Sequence, residues 1–247
     1  MKKILYFLFV PLFFSCSYIA DLKRTGDIIT IEHDWDSAPH IEIWAPVRLI
    51  PVISNESKIK LIGMDFIVED YEFKISDDKI VVDHKNRNRL QEEKIADLYI
   101  YTRKIERITI NSPSKLQSND TLFFDNLHIV INGKGAYTTG NLILKGNNLR
   151  YCAYGSQNKC YQTFSGAVKT AFFQIEGGSK LHAFDLKTIN CKVVNKSYID
   201  CYISVSEQLD ADIYSSGNIY YKGNPTVIFQ NIENNLMNST GKIFQVE

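Results

Sequence analysis

A short unit, an apolar residue followed by a polar or small turn, recurs down the C-terminal half of this 247-residue chain. It starts at Ile110-Asn111-Ser112 and returns at Ile131-Asn132-Gly133, Ala153-Tyr154-Gly155 and Ile175-Glu176-Gly177. Val194-Asn195-Lys196-Ser197 and Ile213-Tyr214-Ser215-Ser216-Gly217 follow, and Met237-Asn238-Ser239-Thr240-Gly241 closes the series. The spacings are 21, 22, 22, 19, 19 and 24 residues. The last two units align furthest, with Gly217, Ile219 and Tyr220 matching Gly241, Ile243 and Phe244. One coil of about 20 residues cannot bury its own apolar face, so such a period predicts a solenoid. Coils stacked about 4.8 Å apart pair each backbone group with the coil above and below. The spacing predicts an inward column of Ile131, Ala153, Ile175, Val194 and Ile213. Asn132, Tyr154, Glu176, Asn195, Tyr214 and Asn238 would then be either a surface ladder or ordinary coil corners. The competing fold is an antiparallel sandwich, in which two strands and their turns imitate the same period.

Upstream, nearly every segment also reads as strand. Ile28–Ile31, His40–Trp44, Lys58–Ile62, Tyr71–Ile75 and Lys79–Val82 are rich in β-branched and aromatic residues, and several alternate with period two. Ala96–Tyr101 and Ile105–Ile110 continue the pattern. Asp77-Asp78 reads as a turn; helical periodicity is hard to find past the leader, and its best candidate, Arg87–Lys94, reads rather as a charged loop. Ten of the 13 glycines lie between Gly133 and Gly223, yet no Pro/Gly/Ser linker separates the halves. The expectation is one continuous all-β domain: a parallel β-helix with coils of about 20 residues and a more irregular N-terminal β lobe.

The first residues read as an address. Met1-Lys2-Lys3 precedes an eleven-residue apolar run, Ile4–Phe14, broken only by Pro11. A bilayer span needs about 20 apolar residues, whereas a secretory core needs about 7–15. Phe13-Phe14-Ser15-Cys16 resembles a bacterial lipobox, in which Cys16 becomes the lipidated N-terminus. Residues 1–16 are thus expected to be a lipoprotein signal peptide, residues 17–30 a tether and residues 31–244 the folded domain. Anchoring would place the protein in the cell envelope, with the outer membrane favoured.

Cys152, Cys160, Cys191 and Cys201 remain, an even set that an exported chain can pair. Cys152–Cys160 and Cys191–Cys201 would each flank a corner within one coil. By the period, Cys160 and Cys201 share a column two coils apart, about 9–10 Å, beyond the roughly 7 Å Cα separation that a disulfide tolerates. The pairs Cys152–Cys160 and Cys191–Cys201 are therefore expected, with free buried thiols as the alternative.

Charge excludes some functions. The 28 basic and 28 acidic side chains balance, so the chain lacks the footprint of a nucleic-acid binder or a polybasic membrane-surface protein. The densest set of potential metal ligands is His33, Asp34 and Asp36 around Trp35, with His40 nearby, but their alternation suits a polar strand face or turn. Asp77-Asp78 and Asp210-Ala211-Asp212 are carboxylate pairs of a kind that any acid-containing chain offers. No nucleophile elbow, P-loop or zinc-protease motif is present. Asn132-Gly133-Lys134-Gly135 is a turn rather than a phosphate cradle. No catalytic, cofactor or metal residues are expected.

Three segments carry a resemblance. They are Leu127-His128-Ile129-Val130-Ile131-Asn132-Gly133-Lys134-Gly135, Phe173-Gln174-Ile175-Glu176-Gly177-Gly178-Ser179-Lys180-Leu181, and the stretch from Leu209 to the ending Tyr221-Lys222-Gly223-Asn224-Pro225. Together they resemble the bacterial family of putative auto-transporter adhesin, head GIN domains, over roughly residues 30–244. The resemblance implies a right-handed parallel β-helix on an exported or lipid-anchored envelope protein. It brings no catalytic residues. Several expected glycines are replaced here, as in Val194-Asn195-Lys196-Ser197, and the four cysteines depart from the pattern. The expected function is a lipid-anchored, non-enzymatic envelope module for a protein or glycan partner. The alternatives are a polysaccharide lyase or hydrolase on the same scaffold, or a purely structural component. The 14 tyrosines offer a possible contact face, since Tyr gives area at low entropy cost.

Overall fold

A computed structural model describes residues 25–35, 38–76, 78–85, 95–232 and 239–247. The expected signal peptide with Cys16, most of the expected tether, Asp36, Asp77, Arg87–Lys94 and Met237-Asn238 lie outside the described residues. The 17 strands found among the described residues belong to one sheet that coils on itself.

The repeat half is a β-solenoid. Its long strands are β10 (Leu122–Ile131), β11 (Thr139–Ala153), β12 (Tyr161–Gly177), β13 (Lys180–Ser197) and β14 (Cys201–Ile213). Each pairs in parallel with the next. The shorter β15 (Ile219–Lys222) and β16 (Thr226–Asn231) both lie on β14, and β17 (Ile243–Gln245) lies on β15. Parallel pairing at every step excludes the antiparallel sandwich for this half.

The N-terminal strands form the expected irregular lobe, and they extend the solenoid instead of standing apart from it. They are β1 (Ile28–Asp34), β2 (His40–Ile43), β3 (Val47–Ile53), β4 (Lys58–Met64), β5 (Tyr71–Ile75), β6 (Lys79–His84), β7 (Ala96–Thr102), β8 (Arg107–Ile110) and β9 (Lys115–Gln117). One stack runs β6–β2–β8–β10 in parallel, with β5 antiparallel on β6. The other runs β7–β3–β9–β11 in parallel, with β4 and then β1 added antiparallel. A single helical turn, α1 (Asp65–Val68), packs Phe66, Ile67 and Val68 inward. Sequence periodicity did not foresee it, because four residues are too few to show a period.

The core follows the alternation of each strand. Ile80, Ile41, Ile108, Ile129, Tyr151, Phe173, Val193 and Ala211 form one inward column by register. All are at most 1% exposed. A second column runs Val82, Ile43, Ile110, Ile131, Ala153, Ile175, Asn195 and Ile213. The expected occupant Val194 is thus replaced by Asn195. Ile175 pairs with Asn195 and Asn195 with Ile213, so the two coils are 20 and 18 residues long, not 19 each.

Asn195 is tolerated inside because the corner satisfies it. Its Nδ2 donates to Gly217 O at 2.8 Å, and its Oδ1 accepts from Ser197 N at 2.9 Å. Ser197 Oγ lies 2.9 and 2.8 Å from the carbonyls of Gly177 and Ser179. Corner backbone that cannot join a ladder is satisfied by such side chains, without which each buried group would cost about 1–3 kcal/mol. In another column Gly140 faces Gln162. A Cβ at Gly140 would come 2.2 Å from Gln162 Oε1 and 2.3 Å from Leu116 O, so only glycine leaves room there.

The stack ends openly. The inward Val227 and Phe229 of β16 are 36% and 37% exposed, whereas their column neighbours Leu209 and Ala211 are fully buried.

Candidate binding face

The residues singled out by sequence do not converge. His33 and Asp34 are exposed on β1, with His33 ring-to-ring with Phe73 at 5.4 Å and Asp34 opposite Lys58. Trp35 is buried and donates its Nε1–H to Tyr101 O at 3.1 Å. His40 lies on β2 beside Glu106, at 3.7 Å. Among the described residues, no three His, Cys, Asp or Glu side chains gather as a metal site would require. Asp210 and Asp212 are both engaged by Lys192 Nζ, at 2.9 and 3.3 Å.

All four cysteines in the described region are buried and free. The thiols of the expected Cys152–Cys160 and Cys191–Cys201 pairs are unbonded in this structure. Cys152 pairs with Gln174, while Cys160 donates toward Asn158 Oδ1 at 2.6 Å. Cys191 lies between Ala171 and Leu209, whereas Cys201 faces Ile219. Cys160 and Cys201 do not share a column either: Cys201 precedes Tyr202, which stacks on His182 and Thr163, while Cys160 precedes Tyr161, which stacks on Lys180. Burial pushes the Cys160 thiol up to about 12 and raises Cys191 and Cys201 as well, so these thiols stay protonated.

Among the described residues the expected corner positions differ at one place. Asn132, Tyr154, Glu176, Lys196 and Tyr214 follow the second inward column, so Lys196 stands where Asn195 was expected; Asn111 precedes them, and Asn238 lies outside the described residues. Asn132 Nδ2 donates to Asn111 Oδ1 at 2.7 Å. Glu176 accepts from Gly155 N at 2.8 Å and lies 3.9 Å from Lys196, whose ammonium sits 5.2 Å over the Tyr214 ring. Every member is engaged locally, as corner residues are.

Another surface stands out. On the strands of the second stack, Leu181, Ala183, Cys201, Ile203 and Ile219 point inward and are at most 1% exposed. Alternation therefore turns His182, Phe184, Tyr202 and Tyr220 outward. Register aligns His182 with Tyr202, Tyr202 with Tyr220 and Tyr220 with Phe244. The ring centroids are 5.4, 5.3 and 5.2 Å apart in turn, and the last two pairs lie within 22° of parallel. Phe184 sits where the β13–β14 register breaks, edge-on to Tyr202 at 5.2 Å and to His182 at 5.5 Å. Tyr161 begins the surface and Phe244 ends it, 43% and 40% exposed. Two lysines lie across it. Lys180 Nζ is 5.4 Å from both the Tyr161 and Tyr202 rings, and Lys222 Nζ is 5.2 Å over Phe184. Partial burial, then Asp200 and Tyr220, raise the Tyr202 phenol, so it stays a neutral hydroxyl. Sequence reading caught only the Tyr220–Phe244 match; the full ladder is spaced 20, 18 and 24 residues and needs the register to be seen.

Comparison with known proteins places this geometry. Residues 40–225 match the family described as putative auto-transporter adhesin, head GIN domain. The chain belongs to that family. Solved structures share its fold. A putative adhesin from Bacteroides fragilis is 17% identical with a TM-score of 0.77, covering 89% of this chain and 97% of that one. A protein titled as a putative lipid binding protein from Parabacteroides distasonis is 15% identical with a TM-score of 0.65, covering 90% and 98%. A putative adhesin from Parabacteroides merdae is 18% identical with a TM-score of 0.61, covering 91% and 99%. No curated protein matches the chain. The family and these neighbours carry adhesin and binding-protein names, and none carries the name of an enzyme.

Proposed function

We propose that this head GIN domain protein is a non-catalytic binding module of the cell envelope, held at the outer membrane through lipidated Cys16. It presents its outward aromatic face to a protein or glycan. The aromatic ladder carries this reading. Its rings are supported from behind by a closed core and stand in front of it in a flat, regularly spaced row. Rigid aromatic side chains of this kind offer contact area at little entropic cost. A lyase or hydrolase would need a carboxylate set in a cleft, and the Asp210–Asp212 pair is bound to Lys192 instead.

Fractionation of cells expressing the protein or Cys16→Ala tests the anchor. Membrane retention should be lost in the variant, and equal partitioning would refute anchoring. Capture of envelope material by the full-length protein and by Tyr202→Ala/Tyr220→Ala tests the face. Loss of capture is expected, and unchanged capture would move the binding surface elsewhere.

A further inference from the structure

The two outward faces of the repeat half dispose of their lysines differently. On the face that carries β14's Asp210 and Asp212, Arg150 lies over the Phe172 ring, but the lysines there meet carboxylates. Lys192 is paired with both, and Lys196 with Glu176. On the aromatic face Lys180 and Lys222 have no carboxylate within ion-pairing distance among the described residues, and they lie against rings instead. Two acids lie near this surface. Asp200 is occupied, accepting from Asn218 N at 2.8 Å and Nδ2 at 3.0 Å. Asp185 follows the bulge, is exposed and lies opposite Ser165, without an ion pair to either lysine. The ladder is therefore a row of amphipathic rings crossed by two cations without a paired carboxylate among the described residues.

We infer that this face takes an acidic polysaccharide, a chain of uronate-like or otherwise anionic sugars lying along the solenoid axis. The inference rests on the aromatic face being the binding surface. Three features support it. First, the ladder offers one ring per coil, a repeat of about 4.8 Å, so an extended polymer running up the stack meets an equivalent group at each step. Second, the exposed groups suit a hydroxyl-rich ligand. Tyr202 and Tyr220 present hydroxyls, His182 a ring nitrogen, and the ring bodies meet apolar C–H surfaces. Third, Lys180 and Lys222 supply charge complementary to an anion, and only modest desolvation is needed because both are half-buried against rings. An acidic peptide is the less suitable occupant. The strands beneath the ladder are already paired on both sides from β13 to β15, so no backbone edge there remains for a peptide to join.

The test uses affinity electrophoresis of the full-length protein in detergent micelles. The gels contain polygalacturonate, alginate, hyaluronate or chondroitin sulfate, each beside its carboxyl-reduced counterpart. Retardation by at least one acidic polymer is expected, with roughly tenfold weaker binding to its reduced form. Lys180→Gln/Lys222→Gln should erase that preference, and raised salt should do the same. Tyr202→Ala/Tyr220→Ala should abolish retardation by either form. Circular dichroism and thermal unfolding establish that each variant is folded. Equal binding to acidic and reduced polymers, or a preference untouched by the lysine substitutions, would overturn the inference while leaving a glycan-binding face. No retardation by any polymer, with ladder-dependent capture of an envelope protein, would overturn the glycan class and keep the face. Binding unaffected by the tyrosine substitutions would overturn both.

Discussion

Two aromatic stacks belong to the same solenoid, one inside the coils of β11 and β12 and one outside the later coils of β14, β15 and β17. Inside, Tyr151 meets Phe164 edge-on at 5.2 Å, and Phe164 lies 6.3 Å from Phe173, with all three fully buried. Outside, Tyr202, Tyr220 and Phe244 stack at similar distances, but water reaches them. Residue type and spacing are alike. What differs is what surrounds each ring. The inner rings are held on every side by columns above, below and across the coil. The outer rings are held by one another and by the strand behind them. The same contact thus serves stability in one place and leaves a usable surface in the other.

The comparison breaks first, and most visibly, at Phe173. Phe173→Ala should cost about 3–5 kcal/mol in denaturant unfolding, through lost burial and the cavity left behind. Phe229 occupies the same column in the open last coil, where it is 37% exposed. Phe229→Ala should cost less than half as much. Equal costs would mean that the last coil is covered in solution.

Asn195 comes next. If an apolar column were the rule throughout, Asn195→Leu would stabilise the protein. The corner geometry implies the opposite, because Gly217 O and Ser197 N lose their partners. A loss of about 2–4 kcal/mol is expected by thermal or chemical unfolding. This position also shows what could be read without coordinates. Ile175 and Ile213 were placed by the period, because coils of 20 and 18 residues sum to the same distance as two of 19. The residue between them was not, since spacing averages over uneven coils and a buried amide carries no signature until its corner is seen. The parallel stacking was legible for the same reason: a coil must repeat to bury its face. The path of the N-terminal lobe was not, because β1–β4–β7 pairing is antiparallel and non-sequential, and no period encodes it. The binding face was hidden too. Tyr202 and Tyr220 look like any strand tyrosine until register shows them stacked.

A smaller effect separates a polar outward position from the aromatic one. His128 lies between Arg107 and Arg150 in the register of β8, β10 and β11, and its buried Nε2 has no hydrogen-bond partner. Burial first, then the two guanidinium groups, push its pKa down to about 4. The unfolded chain therefore binds a proton that the folded one refuses. Stability from this site is complete above the ordinary histidine value and is lost as pH falls toward 4. After allowance for solvent screening, the loss should reach about 1–2 kcal/mol. His128→Gln should flatten unfolding free energy between pH 7 and 5 relative to the parent protein. An unchanged slope would show that His128 is already well solvated.

The smallest stability effect is expected where the largest functional one is. Tyr220 touches Tyr202 and Phe244 through its ring faces and is half-buried. Losing those stacking contacts should cost about 0.5–1.5 kcal/mol, well below the cost at Phe173, because Ile219 and the inner columns behind it remain in place. Tyr220→Phe should keep the stack and remove only the hydroxyl, so its unfolding curve should coincide with the parent's. A ligand that hydrogen-bonds that hydroxyl would register the change as weaker binding. A ligand that only covers the rings would not. Measuring both variants for unfolding and for retention of envelope material separates the two roles an outward ring can play. A cost at Tyr220→Ala equal to that at Phe173→Ala would make the outer stack a structural element, and the contact surface would then have to be sought elsewhere on the coil.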